Sequence, residues 1–219
     1  MIKDTHSIFV SEWQLDIPHE DRGMAKADVV TLPVPRTEGG RPLLEALKHR
    51  HSSRELSARG LTSELLSDLL WAAFGVNRIE TGGRTAPSAQ NWQEIDVYAA
   101  TEDGLFRFDA AGHALVRLSK LDIRAATGLQ SFVAQAPLNL IYVADFARAT
   151  NATQEERRLY CVANTGFIAQ NVYLFCAAHG LATVVRGAID RAALGKTMRL
   201  LPQQHIILAQ TVGYPAATH

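Results

Sequence analysis

Gln154 to Gly180 reads QEERRLYCVANTGFIAQNVYLFCAAHG. The start of the stretch is polar and its centre is apolar on nearly every side. Gly180 supplies a helix stop. A helix this long and this apolar belongs at the centre of a core. Runs of strand type flank it: Pro137–Phe146 is continuously apolar with alternation at its end, and Leu181–Ile189 follows directly.

Working outward, Pro42–Arg50 reads as a short amphipathic helix with proline in its tolerated first turn. Thr62–Gly75 is a clearer one, with Thr62 as N-cap, Gly75 as stop and a stripe of Leu65, Leu66, Leu69, Leu70 and Ala73. Glu94–Ala100 alternates as a strand. Residues 104–109 and 113–119 read as a hairpin turning around Ala110–Gly112. Asp190 caps a helix over 191–201, and Gln204–Pro215 is the last strand. The sum is an α+β chain with a central mixed or antiparallel sheet flanked by helices. Residues 1–41 read as an irregular N-terminal arm and linker, and 42–219 as the folded domain.

The 219 residues suit one sizeable domain, and 47% apolar with 20% charged residues is a globular composition. The charges balance at 22 basic and 22 acidic, which argues against nucleic acid or an anionic membrane as partner. No apolar run approaches the ~20 residues of a membrane span, and the N-terminus has no signal-like apolar region. A soluble cytoplasmic protein is expected. Cys161 and Cys176 lie 15 residues apart in the long helix. That is ~22 Å along its axis, far beyond disulfide reach. The histidines are scattered without metal-ligand spacing, so no metal is expected.

Two stretches are dense in directional polar groups. Lys48–Leu56, KHRHSSREL, ends the first helix with Arg50, His51, Ser52, Ser53 and Arg54. A basic cluster meeting a helix C-terminus explains it; so does an anion site, where two arginines and two hydroxyls receive a phosphate. Gly82–Gln93, GGRTAPSAQNWQ, carries Arg84, Pro87, Ser88, Asn91 and Gln93 between helix and strand. Turn chemistry alone accounts for Pro, Ser and Asn there.

Taken together, the chain resembles the nitroreductase-like flavoprotein family, which binds FMN in an intertwined homodimer. ALKHRHSSRE (46–55) resembles the family's opening motif and APSAQNWQ (86–93) its second. NVYLFCAAHGLATVV (171–185) resembles the central helix entering a flavin-facing strand, and TVGYP (211–215) the closing strand. The order and spacing match from Pro42 to Pro215, and the GGRTAPSA loop is most similar to the azoline-dehydrogenase branch.

The resemblance implies residue roles. Arg50, His51 and Ser52 would hold the phosphate and ribityl chain. Arg54 would place a cation at the pyrimidine edge, favouring the anionic reduced flavin. Pro87, Ser88, Ala89 and Asn91 would touch the flavin of the neighbouring subunit, with less weight on Gln93. Val185, Arg186, Gly187 and Ala188 would lie beneath the ring, with the Gly187 N–H at N5. Asn164 stands where a polar flavin contact is common, and equally where a core amide would sit. Gln130 is either a pyrimidine contact or a surface glutamine, and Trp92 either a site wall or plain interface.

The chain departs from the pattern after Tyr214, where only PAATH remains in place of a basic C-terminal arm. Either Arg84 or Arg186 would compensate or FMN would bind less tightly, and Arg186 could intrude on the substrate side. The implied activity is ping-pong hydride transfer from NAD(P)H through flavin N5 to a nitroaromatic or quinone. The alternatives are azoline-type oxidation, or a flavin-binding dimer without turnover. No side chain need act as nucleophile, in keeping with the absence of G-x-S-x-G or Cys-His signatures. His51 as general acid ranks below its contact role. A Rossmann NAD enzyme fits poorly, because no G-x-G-x-x-G follows the first strand.

Overall fold

The computed structural model describes residues 28–217. In chain order the elements are β1 (Asp28–Thr31), α1 (Leu43–His49), α2 (Ser63–Phe74), β2 (Val76–Arg78), β3 (Gly83–Arg84), β4 (Ile95–Thr101), β5 (Gly104–Asp109) and β6 (Ala114–Ser119). There follow β7 (Leu138–Asp145), α3 (Gln154–His179), β8 (Ala182–Arg186), α4 (Arg191–Met198) and β9 (Gln204–Gly213). Seven strands form one sheet in the order β1-β6-β5-β4-β7-β9-β8, and β2 with β3 make a small separate hairpin. Every strand pair in the described residues is antiparallel.

Side-chain alternation splits the core into two layers. Val97, Ala99, Leu140 and Tyr142 face α2 and α3, meeting Leu69, Leu70, Ile168 and Val172. Tyr98, Ala100, Ile141 and Val143 face the other way, toward Leu194 and Met198 of α4. The continuous apolar run of β7 is thus buried on both faces. Local chemistry sets the helix ends. Thr62 Oγ1 accepts from Leu65 N at α2, and Thr153 with Glu156 forms a reciprocal capping box at α3. Gly180 closes α3 at φ 68, a left-handed conformation that glycine adopts without steric cost.

Three expectations change. Part of the segment read as irregular arm and linker is an edge strand: β1 pairs with β6 from Asp28↔Arg117 to Thr31↔Ala114. Residues 1–27 of that arm lie outside the described residues. The polar loop begins with a strand: β3 pairs back onto β2, Val76 with Arg84, in a small hairpin. By length and composition α3 also matches a membrane span; it lies on the sheet with Cys161, Ile168, Val172 and Cys176 fully buried. Both cysteines are free, and burial raises both thiols, Cys161 to about 12, so neither is a reactive thiolate.

The opposite face of α3 is apolar and exposed. Leu159, Val162 and Phe167 are 64%, 54% and 47% exposed. Leu43, Leu44 and Leu47 of α1 are exposed as well.

Candidate active site

The outer edge of β8 is where the opening motif docks. Ser53 N donates to Thr183 O at 2.9 Å. Further on, Ser57 N donates to Tyr214 O and Ala216 N to Glu55 O, so residues 53–57 run along β8 and then the chain's last residues. The Arg59 guanidinium covers the Tyr214 ring, 4.4 Å from its centroid. Arg50 and Ser52 meet at one side chain, Tyr173 of α3. The Tyr173 hydroxyl lies 2.7 Å from Ser52 Oγ and accepts from Val185 N at 2.9 Å. The Arg50 guanidinium sits over the same ring at 5.3 Å. Tyr173 joins this candidate cluster, and sequence reading missed it because it lies within an apolar helix and reads as core.

His51 is exposed, and its Nδ1–H donates to His49 O at 2.8 Å. That leaves Nε2 as its outward group, an acceptor while the ring is neutral. Arg54 is exposed and makes no hydrogen bond or ion pair among the described residues, so its charge is available. Gly187 and Ala188 are exposed just past β8. A Cβ added at Gly187 would meet only Leu208 Cδ2, at 3.8 Å, and its φ is not positive. Neither the backbone nor the protein's own packing demands glycine there, so the space is open to a ligand approaching the backbone.

Arg186 corrects an expectation. Its side chain is buried within its own subunit and is not set on an exposed face. It donates to Thr127 O at 2.7 Å, Asn139 Oδ1 at 2.9 Å and Thr211 Oγ1 at 2.9 Å. Burial pushes its pKa down to about 10, still protonated at neutral pH. Only its backbone is left to line the strand edge. Arg84 is also engaged: it donates to Gln93 Oε1 at 2.8 Å and to Phe74 O, and covers the Phe74 ring. Both arginine side chains are thus engaged within their own subunit.

The Pro-Ser loop is braced from within. Ser88 Oγ accepts from Gln93 N at 3.0 Å, and Gln93 Nε2 donates to Gly82 O and Asn91 Oδ1. Arg148 donates to Gln93 O at 2.9 Å and pairs with Asp96 at 2.6 Å. Gln93 is therefore the knot of the loop. Gln90, Asn91 and Gln93 hold φ of 49, 55 and 49, a strained run of non-glycine residues that these bonds keep in place. Pro87 and Asn91 stay exposed. Trp92 packs edge-on against Tyr160 of α3, with centroids 5.9 Å apart.

For Asn164 the structure favours the core amide. Its Oδ1 accepts from Ala89 N at 3.2 Å and its Nδ2 donates to the fully buried Glu94 at 2.8 Å. Both ends of the amide thus clamp the loop and the residue before β4 to α3. Gln130 is half-buried, not a surface glutamine; its Oε1 has no partner among the described residues, and the neighbouring Leu129 N donates to Ala188 O.

The sequence profile described as "Nitroreductase family" matches residues 47–214. A Methanocaldococcus jannaschii protein named as a nitroreductase is 30% identical over 181 residues, covering 78% of this chain and 90% of its own. A solved nitroreductase-type structure from Ralstonia eutropha is 42% identical with a TM-score of 0.83, covering 94% of this chain and 97% of that one. The NADPH:FMN oxidoreductase of Vibrio harveyi, solved with NAD+, shares the fold at a TM-score of 0.60 and 19% identity, over 80% of this chain and 69% of its own. The chain belongs to the nitroreductase family.

Proposed function

We propose that the protein is an FMN-dependent oxidoreductase, working as a homodimer, that takes electrons from NAD(P)H and passes them to a small acceptor such as a nitroaromatic or quinone. The observation that carries this reading is the convergence of Arg50, Ser52 and the open Gly187 edge on the outer side of β8. It offers a cation and a hydroxyl for a phosphate, beside backbone that a planar ring can approach closely. When bound, FMN supplies the two-electron redox chemistry. The chain's residues bind and orient it. Arg50 and Ser52 hold the phosphate, Arg54 places positive charge at the pyrimidine edge, and the Gly187 N–H donates toward N5.

Two features support a second copy as partner. The exposed stripe of Leu159, Val162 and Phe167 on α3 needs cover. Pro87 and Asn91 are exposed and so free to meet a partner's cofactor, the role that the family resemblance implies for them.

The test is the absorption spectrum of the native protein, followed by identification of the released cofactor and steady-state oxidation of NADH and NADPH with either acceptor. Flavin bands, released FMN and turnover are expected. A colourless protein that does not take up FMN would reject the reading. Bound FMN without nicotinamide turnover would replace it with azoline-type oxidation or binding alone.

A further inference from the structure

We infer that Tyr173 is a positioning residue that sets the proton direction of the phosphate subsite, so that Ser52 is held as a donor. This rests on the reading above that Arg50 and Ser52 receive the FMN phosphate. The argument is a count of protons. The Tyr173 oxygen accepts the Val185 N–H at 2.9 Å and lies 2.7 Å from Ser52 Oγ. Each hydroxyl has one proton to give. If Ser52 donated to Tyr173, the phenol proton would have no protein acceptor among the described residues and would be left to solvent, for these are its hydrogen-bond neighbours in the chain. If Tyr173 donates to Ser52, every group in the chain is used: Val185 N–H to Tyr173, Tyr173 O–H to Ser52, and the Ser52 proton outward. Ser52 is exposed, so that proton is presented to a ligand.

A phosphate dianion only accepts hydrogen bonds, and a serine fixed as donor suits it. Aligned hydrogen bonds also polarise one another, which strengthens the outward one. The ring adds a second contribution. The Arg50 guanidinium lies 5.3 Å from its centroid, within cation–π range, so one side chain orders both phosphate ligands. The Val185 bond completes the unit by fixing β8 two residues before Gly187. Phosphate ligands and the ring-facing backbone are thereby held in register by a single tyrosine.

The test separates this role from general structural support by comparing FMN with riboflavin, which lacks the phosphate. Apoprotein is titrated with each ligand by fluorescence quenching for the native chain, Tyr173→Phe, Ser52→Ala and the double variant. Tyr173→Phe keeps the ring over which Arg50 sits. Ser52→Ala should lower FMN affinity roughly tenfold with riboflavin unchanged. Tyr173→Phe should lower the FMN-to-riboflavin preference by a similar factor, and the double variant should lose no more than either single one. An unchanged preference in Tyr173→Phe, an equal loss for both ligands, or full additivity with Ser52→Ala overturns the inference. If Ser52→Ala itself leaves the preference unchanged, the phosphate assignment fails first and the inference falls with it. Should Tyr173→Phe not fold, 3-fluorotyrosine at 173 keeps the shape and makes the phenol a stronger donor. FMN preference should then rise, and no change would count against the role.

Discussion

Asn164 and Tyr173 project from opposite faces of α3. They are nine residues apart, which at 100° and 1.5 Å per residue means roughly 180° of rotation and ~14 Å of rise. Asn164 grips the Pro-Ser loop through Ala89 N, and Tyr173 grips the phosphate cluster through Ser52. Within one subunit the two halves of the proposed FMN site are therefore held apart by the body of a helix. In the proposed dimer it is the partner's loop that completes the first subunit's cluster.

Arg50→Ala should weaken FMN binding by roughly 10- to 100-fold, the equivalent of the ~1.5–3 kcal/mol typical of a charge-assisted bond. Titration of apoprotein measures it directly. The ring of Tyr173 loses its cation in this variant. Native-like affinity would remove Arg50 from the site.

Arg54→Gln should change redox behaviour more than binding. Arg54 is exposed and unengaged among the described residues, so its loss leaves the fold intact. A missing cation near the pyrimidine edge makes the reduced, anionic flavin less stable, and the midpoint potential should fall. Spectroelectrochemistry reads the change; an unchanged or higher potential contradicts the role.

Local chemistry was the legible part of this protein. The Thr62 and Asp190 caps and the β7 run are set by neighbours in sequence, and they appear where the pattern placed them. β1 escaped because DVVT is short and exposed, and is a strand only by pairing with β6 far along the chain. The fate of Arg186 depends on Thr127, Asn139 and Thr211, which the topology alone brings together. Asn164 was ambiguous in sequence because a buried amide serves a cofactor or a backbone equally well. Only the position of Ala89 and Glu94 around it decides between them.

Stability should fall in mild acid because of His113. Burial is the largest influence on its imidazole and lowers its pKa, against smaller raising effects from Pro33 and Asp68. Ser67 Oγ donates to Pro33 O at 2.6 Å, so the His113 Nε2–H donates to Ser67. With the folded pKa below the unfolded ~6.5, the folded state takes up the proton less readily. The contribution is present above about pH 6.5 and is lost as pH falls through the lowered folded value. His113→Asn tolerates the local φ of 45 and removes the titration. Its melting temperature should decline less steeply than the native protein's between about pH 7.5 and about pH 5. Parallel slopes would clear His113.

The opposed placement of Asn164 and Tyr173 gives the last prediction: two FMN sites per dimer, each built from both chains. One variant is Arg50→Ala. The other is Asn91→Gly, which removes the side chain yet suits the positive φ of 55 at that position. Each homodimer carries the same defect in both of its sites. In a heterodimer both defects fall in one site, and the other site is native. Mixing and refolding the two variants should therefore restore FMN binding and turnover, at an FMN concentration that saturates only the native protein. The recovered level should approach one native site per heterodimer. The exposed apolar stripe of α3 predicts that the subunits separate only when core-like surface is exposed, so dilution should release FMN and unfold the chain together. A monomer in sedimentation that still holds FMN contradicts the shared site. So does a refolded mixture that recovers nothing while both variants fold.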